Sequence, residues 1–203
     1  MESELSSAGI IGSDNWQAYT WKNELSLHTA RVQQHFAEYL DEDFDAEHSP
    51  FHMLEKAFVL CGFVMRRMME TRVVTDKLRE TKIGVRCFPK AGDREFRQRW
   101  YSKTGPAGIK QYEMGTPKTE TMSISDLGNE IIHASQLAIA YGFRDFNDGI
   151  LIGSDWRYTK RLLHLTPGEF QSIVDLVLTD HVSVAMDGFE GDPADGKIVT
   201  IRK

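Results

Sequence analysis

Trp21, Leu25, Val32, Phe36 and Tyr39, with His28 in the same row, recur at helical spacing and predict a first helix from about Asp14 to Leu40. The acidic run Asp41-Glu42-Asp43-Phe44-Asp45-Ala46-Glu47 ends it as a loop. Ser49-Pro50 then opens a second helix, with a capping hydroxyl and a proline suited to the first helical position. Phe51, Leu54, Phe58, Cys61, Met65 and Met68 form one face of it, and Ala57, Val59, Phe63 and Val64 widen that face. A helix so apolar is expected at the centre of a bundle, running to about residue 75. The two make a helix–loop–helix pair.

Residues 83–122 break the helical pattern. Ile83 to Phe88 reads as a short strand, followed by a stretch rich in Gly, Pro, Thr and Lys. A loop of that length in a compact domain is usually functional or mobile. Ser123-Ile124-Ser125-Asp126 has the capping-box pattern, which predicts a third helix over 124–141 with Leu127, Ile131, Ala134, Ala138 and Tyr141 on one side. Gly149 to Gly153 and Thr159 to Leu165 read as the strands of a hairpin around Ser154-Asp155. Thr166-Pro167-Gly168-Glu169 starts another helix, its apolar face carried by Phe170, Ile173, Val174, Val177 and Leu178, extending as far as Met186. Lys197 to Arg202 suggests a last short strand. The expected fold is therefore α+β: a helical core of the N-terminal pair and the third helix, a small antiparallel hairpin, and a C-terminal amphipathic helix. Residues 1–12 read as a flexible tail and 13–203 as one globular domain.

Charge changes this picture. Residues 66–110 carry 13 Lys/Arg against 5 Asp/Glu, whereas residues 1–65 carry 3 against 11 and residues 111–203 carry 8 against 14. Blocks of one sign point to an anionic partner, or to parts of the molecule that face each other. The net charge of −6 argues against a dedicated nucleic-acid protein, yet a local basic face can still bind phosphate. The two cysteines, Cys61 and Cys87, make no disulfide framework, so a reducing cytoplasm is the expected location. The longest apolar run, Ala57 to Met65, is far short of the roughly 20 residues that span a bilayer, and no membrane association is expected.

The chemistry-bearing candidates are few. Arg94, Arg97, Arg99, Trp100 and Lys103 interleave cations with aromatics, a pattern that suits phosphate contact with base stacking; Arg86 lies upstream in the same basic block. Asn129, His133 and Gln136 form a polar stripe on the predicted third helix, where His133 could act as a general acid or base. Arg67, at the end of the second helix, could line a pocket between helices, and its neighbour Arg66 can pair with Glu70 four residues on. His28, Arg31 and His35 share one side of the first helix, with His28 better placed as a core residue. His48, His52 and Glu55 have part of a metal-ligand spacing, but His48 precedes the helix cap and no third ligand is evident, so no metal or cofactor is expected. The usual phosphate-loop, dinucleotide and hydrolase motifs do not occur in the chain.

A helical pair followed by a helix bearing Asn129-x-x-x-His133 resembles HEPN-type proteins, many of which are metal-independent ribonucleases of bacterial defence and toxin systems. The family pattern is Arg, four to six residues, then His. Here Asn129 stands in place of Arg with three residues intervening; Arg31 to His35 has the same short gap; Arg157 to His164 fits the spacing within the predicted hairpin. The resemblance implies catalysis by His133 with Asn129, and with Arg67 stabilising phosphate charge. The residues themselves favour a cytoplasmic, non-enzymatic binding or regulatory protein that engages nucleic acid or an acidic protein surface through residues 66–110. A homo-oligomer whose acidic and basic blocks meet across subunits is the third expectation.

Overall fold

The computed structural model describes residues 18–41, 49–92, 109–190 and 197–203. In chain order the elements are α1 (Ala18–Leu40), α2 (Pro50–Glu70), α3 (Asp76–Glu80), β1 (Lys82–Pro89), β2 (Lys118–Ser123), α4 (Ile124–Ile132), β3 (Ala134–Ala140), β4 (Gly149–Ser154), β5 (Arg161–Leu165), α5 (Pro167–Thr179), β6 (Ala185–Glu190) and β7 (Lys197–Arg202). The class is α+β, but the centre is not a helical core beside a small hairpin. Five strands make one antiparallel sheet in the order β2-β1-β5-β4-β3, and β6 pairs with β7 in a separate hairpin.

The sheet divides the core by the two-residue period of its strands. Ile83, Val85, Leu137, Ile150, Ile152, Leu163 and Leu165 face one way and join the main core with Leu54, Phe58 and Met65 of α2, Leu127 and Ile131 of α4, and Phe170 and Val174 of α5. Phe88, Ala140, Leu151 and Leu162 join a smaller cluster with Tyr112 and Phe146. Every residue of β4 and β5 is buried. Strands covered on both faces are apolar in nearly continuous runs, which is why these two read so plainly from sequence.

The third helix is shorter than its sequence predicts. α4 ends at Ile132, and residues 134–140 form β3 at the sheet's edge, paired with β4 from Ala134↔Ser154 to Ala140↔Gly149. Alanine-rich ASQLAIA is compatible with a helix locally; hydrogen bonding to a buried strand decides otherwise. Gln136, expected beside His133 on one helical face, is consequently a buried strand residue. α2 stops at Glu70, and Arg72 takes a positive φ of 54° before the single short turn of α3. β2 and β6 occupy stretches expected as loop and helix end.

Both expected capping boxes form. Ser123 accepts from the Asp126 amide while the Asp126 carboxylate accepts from Ser123, and Thr166 and Glu169 repeat the arrangement with Pro167 in the first turn. The boxes fix where α4 and α5 leave the sheet. The remaining position that matters for the surface is the α2–α4 crossing. A Cβ on Gly128 would lie 2.9 Å from the Gly62 carbonyl oxygen, and one on Gly62 would lie 2.8 Å from Ile131. The backbones meet this closely because both residues lack side chains.

Candidate nucleic-acid cleft

The glycine crossing places the last turns of α2 beside the last turn of α4. Between them opens a cleft of about 350 Å³ lined by Phe63, Arg66, Arg67, Glu70, Ile132 and His133. Arg67 and His133, which the ribonuclease resemblance had joined, therefore share one site. Arg66 donates from Nε to Glu70 at 2.6 Å, so its charge is matched locally. Arg67 is exposed, and its guanidinium makes no hydrogen bond or ion pair with the described residues. Among the described residues it supplies the cleft's unmatched positive charge.

His133 is the C-cap of α4, its amide donating to the Asn129 carbonyl at 3.0 Å. Asn129 thus supports the helix end through its backbone. The ring of His133 lies 4.4 Å from that of Trp156, tilted by 48°. Trp156 belongs to the turn between β4 and β5, and that turn is tied down: the Asp155 amide donates to the His133 carbonyl at 3.0 Å, and the amides of Arg157 and Tyr158 return to Ser154. The Arg157 guanidinium bonds Glu120 of β2 at 2.9 Å and lies 3.4 Å from Glu130 of α4.

Behind the turn lies a closed ionic cluster that sequence reasoning does not find. Arg161, 6% exposed, donates to Glu130, 4% exposed, through both terminal nitrogens at 3.1 Å, and to Glu120 through Nε and Nη2. Burial disfavours the Arg161 charge, but its bonds to Glu120 and Glu130 outweigh that and raise its proton affinity. A glutamate inside the apolar helix Ile124–Ile132 was the available signal, since such a group must find a cation when buried.

Arg86 belongs to a second closed cluster. It donates to His164 Nδ1 at 2.8 Å and to Glu169 at 3.0 Å. His164 is fully buried against Phe88 and Phe146, and its Nε2 has no hydrogen-bond partner of good geometry. Desolvation, then the Arg86 charge, depress its pKa to about 4, against the opposing pull of Glu169, the Asn147 backbone and Asp148. The imidazole is neutral at neutral pH, with Nδ1 as acceptor from Arg86.

Other candidates are dispersed. Arg94, Arg97, Arg99, Trp100, Lys103 and His48 lie outside the described residues. On α1, His28 is buried beside Glu24 at 3.4 Å, His35 bonds Glu38 at 2.7 Å, and Arg31 is exposed. His52 lies 3.7 Å from Glu55, and no group of three metal-ligating side chains assembles among the described residues. Arg157 and His164 sit in different clusters. A larger recess of about 680 Å³ lies between α3 and the C-terminal hairpin, but its central groups are already bonded: Thr75 to Asp180, and Asp76 to the Arg202 amide. No helix among the described residues is long and apolar enough to cross a membrane. Comparison with protein-family models, with curated proteins and with solved structures finds no match for this chain.

Proposed function

We propose that this protein is a cytoplasmic, non-enzymatic nucleic-acid-binding protein whose α2–α4 cleft engages the phosphate backbone. The observation that carries the reading is Arg67: an exposed guanidinium without a carboxylate partner among the described residues, set in a cleft. Arginine's planar fork matches phosphate geometry, and phosphate contacts position a nucleic acid. The other arginines of described residues 66–92 bond within the chain: Arg66 to Glu70, Arg72 to the Thr200 carbonyl, Arg79 to Asp76 and Arg86 to Glu169. Among the described arginines of the basic block, four therefore serve the fold and Arg67 is available to a ligand. Two buried free thiols, Cys61 and Cys87, support a reducing location; burial pushes the Cys61 pKa up to about 12, which keeps it inert.

One observation favours a second reading, a metal-independent ribonuclease: Arg67 and His133 line the same cleft. His133 would take the proton of an RNA 2′-hydroxyl as its oxygen attacks phosphorus. The P–O5′ bond would break, and the imidazolium would return the proton to O5′, leaving a 2′,3′-cyclic phosphate and a 5′-hydroxyl. Arg67 would stabilise charge on the phosphoryl oxygens.

Anisotropy of labelled RNA at two salt concentrations, with each sample then run on a denaturing gel, tests both. Salt-weakened binding with intact probe supports the binding protein. A shortened probe whose cleavage is lost in His133→Ala supports the nuclease. An absence of binding at low salt would sink both.

A further inference from the structure

The cleft's charge is flanked by exposed aromatic surface. Phe63 is 48% exposed and Trp156 is 53% exposed. Phe63 lines the cleft and meets Trp21 of α1 edge-on, with ring centroids 6.3 Å apart. On the other side, Trp156 packs part of its surface on His133 and leaves the rest to solvent. Its turn is held at both ends, by the Asp155 amide on the His133 carbonyl and by Arg157 on Glu120 and Glu130. The indole is thus presented in a fixed place beside the cleft. An exposed aromatic on a tied-down turn, packed on a residue of a cleft that holds an arginine with no partner among the described residues, is an arrangement suited to an unstacked base and its phosphate.

Resting on the phosphate-binding reading above, we propose that the cleft takes one unpaired nucleotide of a single-stranded RNA, with the phosphate on Arg67 and the base against Trp156. A duplex offers phosphates but keeps its bases stacked inside, so it leaves the indole unused. The cleft volume, about 350 Å³, falls at the small end of ligand pockets and suits a single residue of a strand.

The test uses the full chain and three labelled probes at one salt concentration: an eight-nucleotide single-stranded RNA of mixed sequence, an abasic oligonucleotide of equal length, and a sixteen-base-pair RNA duplex. The expected result is about tenfold tighter binding of the single strand than of the abasic probe, with quenching of tryptophan fluorescence. Trp156→Ala should bring the single strand to the abasic level, and Trp156→Phe should retain most of the preference. Trp156→Leu keeps bulk without an aromatic face and serves if Trp156→Ala does not fold. Equal binding of the single strand and either control, or an unchanged preference in Trp156→Leu, would overturn the single-strand assignment. If Arg67→Glu still abolished binding in that case, the phosphate reading would stand alone. Binding of no probe, or binding indifferent to Arg67→Glu, would remove the phosphate reading and this inference with it.

Discussion

Glu130, in the last turn of α4, and His133, its C-cap, are three residues apart, yet they belong to opposite kinds of site. Glu130 is buried and locked to Arg161, which also holds Glu120. His133 opens onto a cleft whose Arg67 has no acidic partner among the described residues. The last turn of the helix therefore closes a charge network on one side, while its cap opens beside a charge that no described residue matches. A buried charge contributes to the fold only when it is matched, and removing its partner is far more costly than the pair is favourable. An exposed charge contributes little to stability either way. The two regions should respond to mutation in opposite senses, stability in one and binding in the other.

The largest effect should come from breaking the closed network. Glu130→Ala leaves Arg161 buried with Glu120 as its remaining partner, and a loss of about 3–5 kcal/mol is expected in urea unfolding. The Trp156 turn, which leans on Glu130 through Arg157, should loosen in the same variant and weaken RNA binding as a secondary effect.

Next comes acid. His164 has a pKa depressed to about 4 in the fold against about 6.5 in the unfolded chain, so the unfolded state binds more protons between those values. Its contribution is complete above pH 6.5 and lost as pH falls towards 4, an effect of roughly 2–3 kcal/mol. His28, also depressed, chiefly by burial, adds in the same direction. Unfolding midpoints measured across pH 4–7 should show the slope, and His164→Gln should flatten it. An unflattened slope would mean that the Arg86–His164–Glu169 cluster is not the origin.

A smaller effect is expected at the crossing that joins the two regions. Gly128→Ala puts a Cβ 2.9 Å from the Gly62 carbonyl, so the helices must separate. Overpacking of about 1–3 kcal/mol is partly offset by alanine's helix propensity, leaving about 1 kcal/mol of destabilisation. Because the crossing sets the cleft, RNA affinity should fall more than stability does. Thermal melts and anisotropy on the same preparation will separate the two.

Much of the frame was legible in the chain because its signals are local. The capping boxes at Ser123 and Thr166 act within one turn, and the apolar runs of β4 and β5 announce their own burial. What was hidden depends on partners distant in sequence. β2 is a polar edge strand, mostly solvated before Met122, so it has no apolar pattern to betray it. β3 follows α4 with alanines that suit either state, and the helical period was carried across His133 into it. At the site, Arg67 and His133 were joined in the sequence only by a family resemblance, and their meeting depends on a glycine crossing between helices about 60 residues apart. Trp156 lay in a recognisable turn, with no sign that His133 would stand beside it.

The smallest effect on stability should belong to Arg67→Glu, within about 0.5 kcal/mol of the parent because the side chain is exposed and pairs with none of the described residues. That variant tests the central claim most directly. Thermal unfolding and single-stranded RNA anisotropy should be measured side by side on it and on the parent protein. An unchanged melting temperature is expected, with binding reduced to the limit of detection. Binding that survives the charge reversal in a folded protein would contradict it.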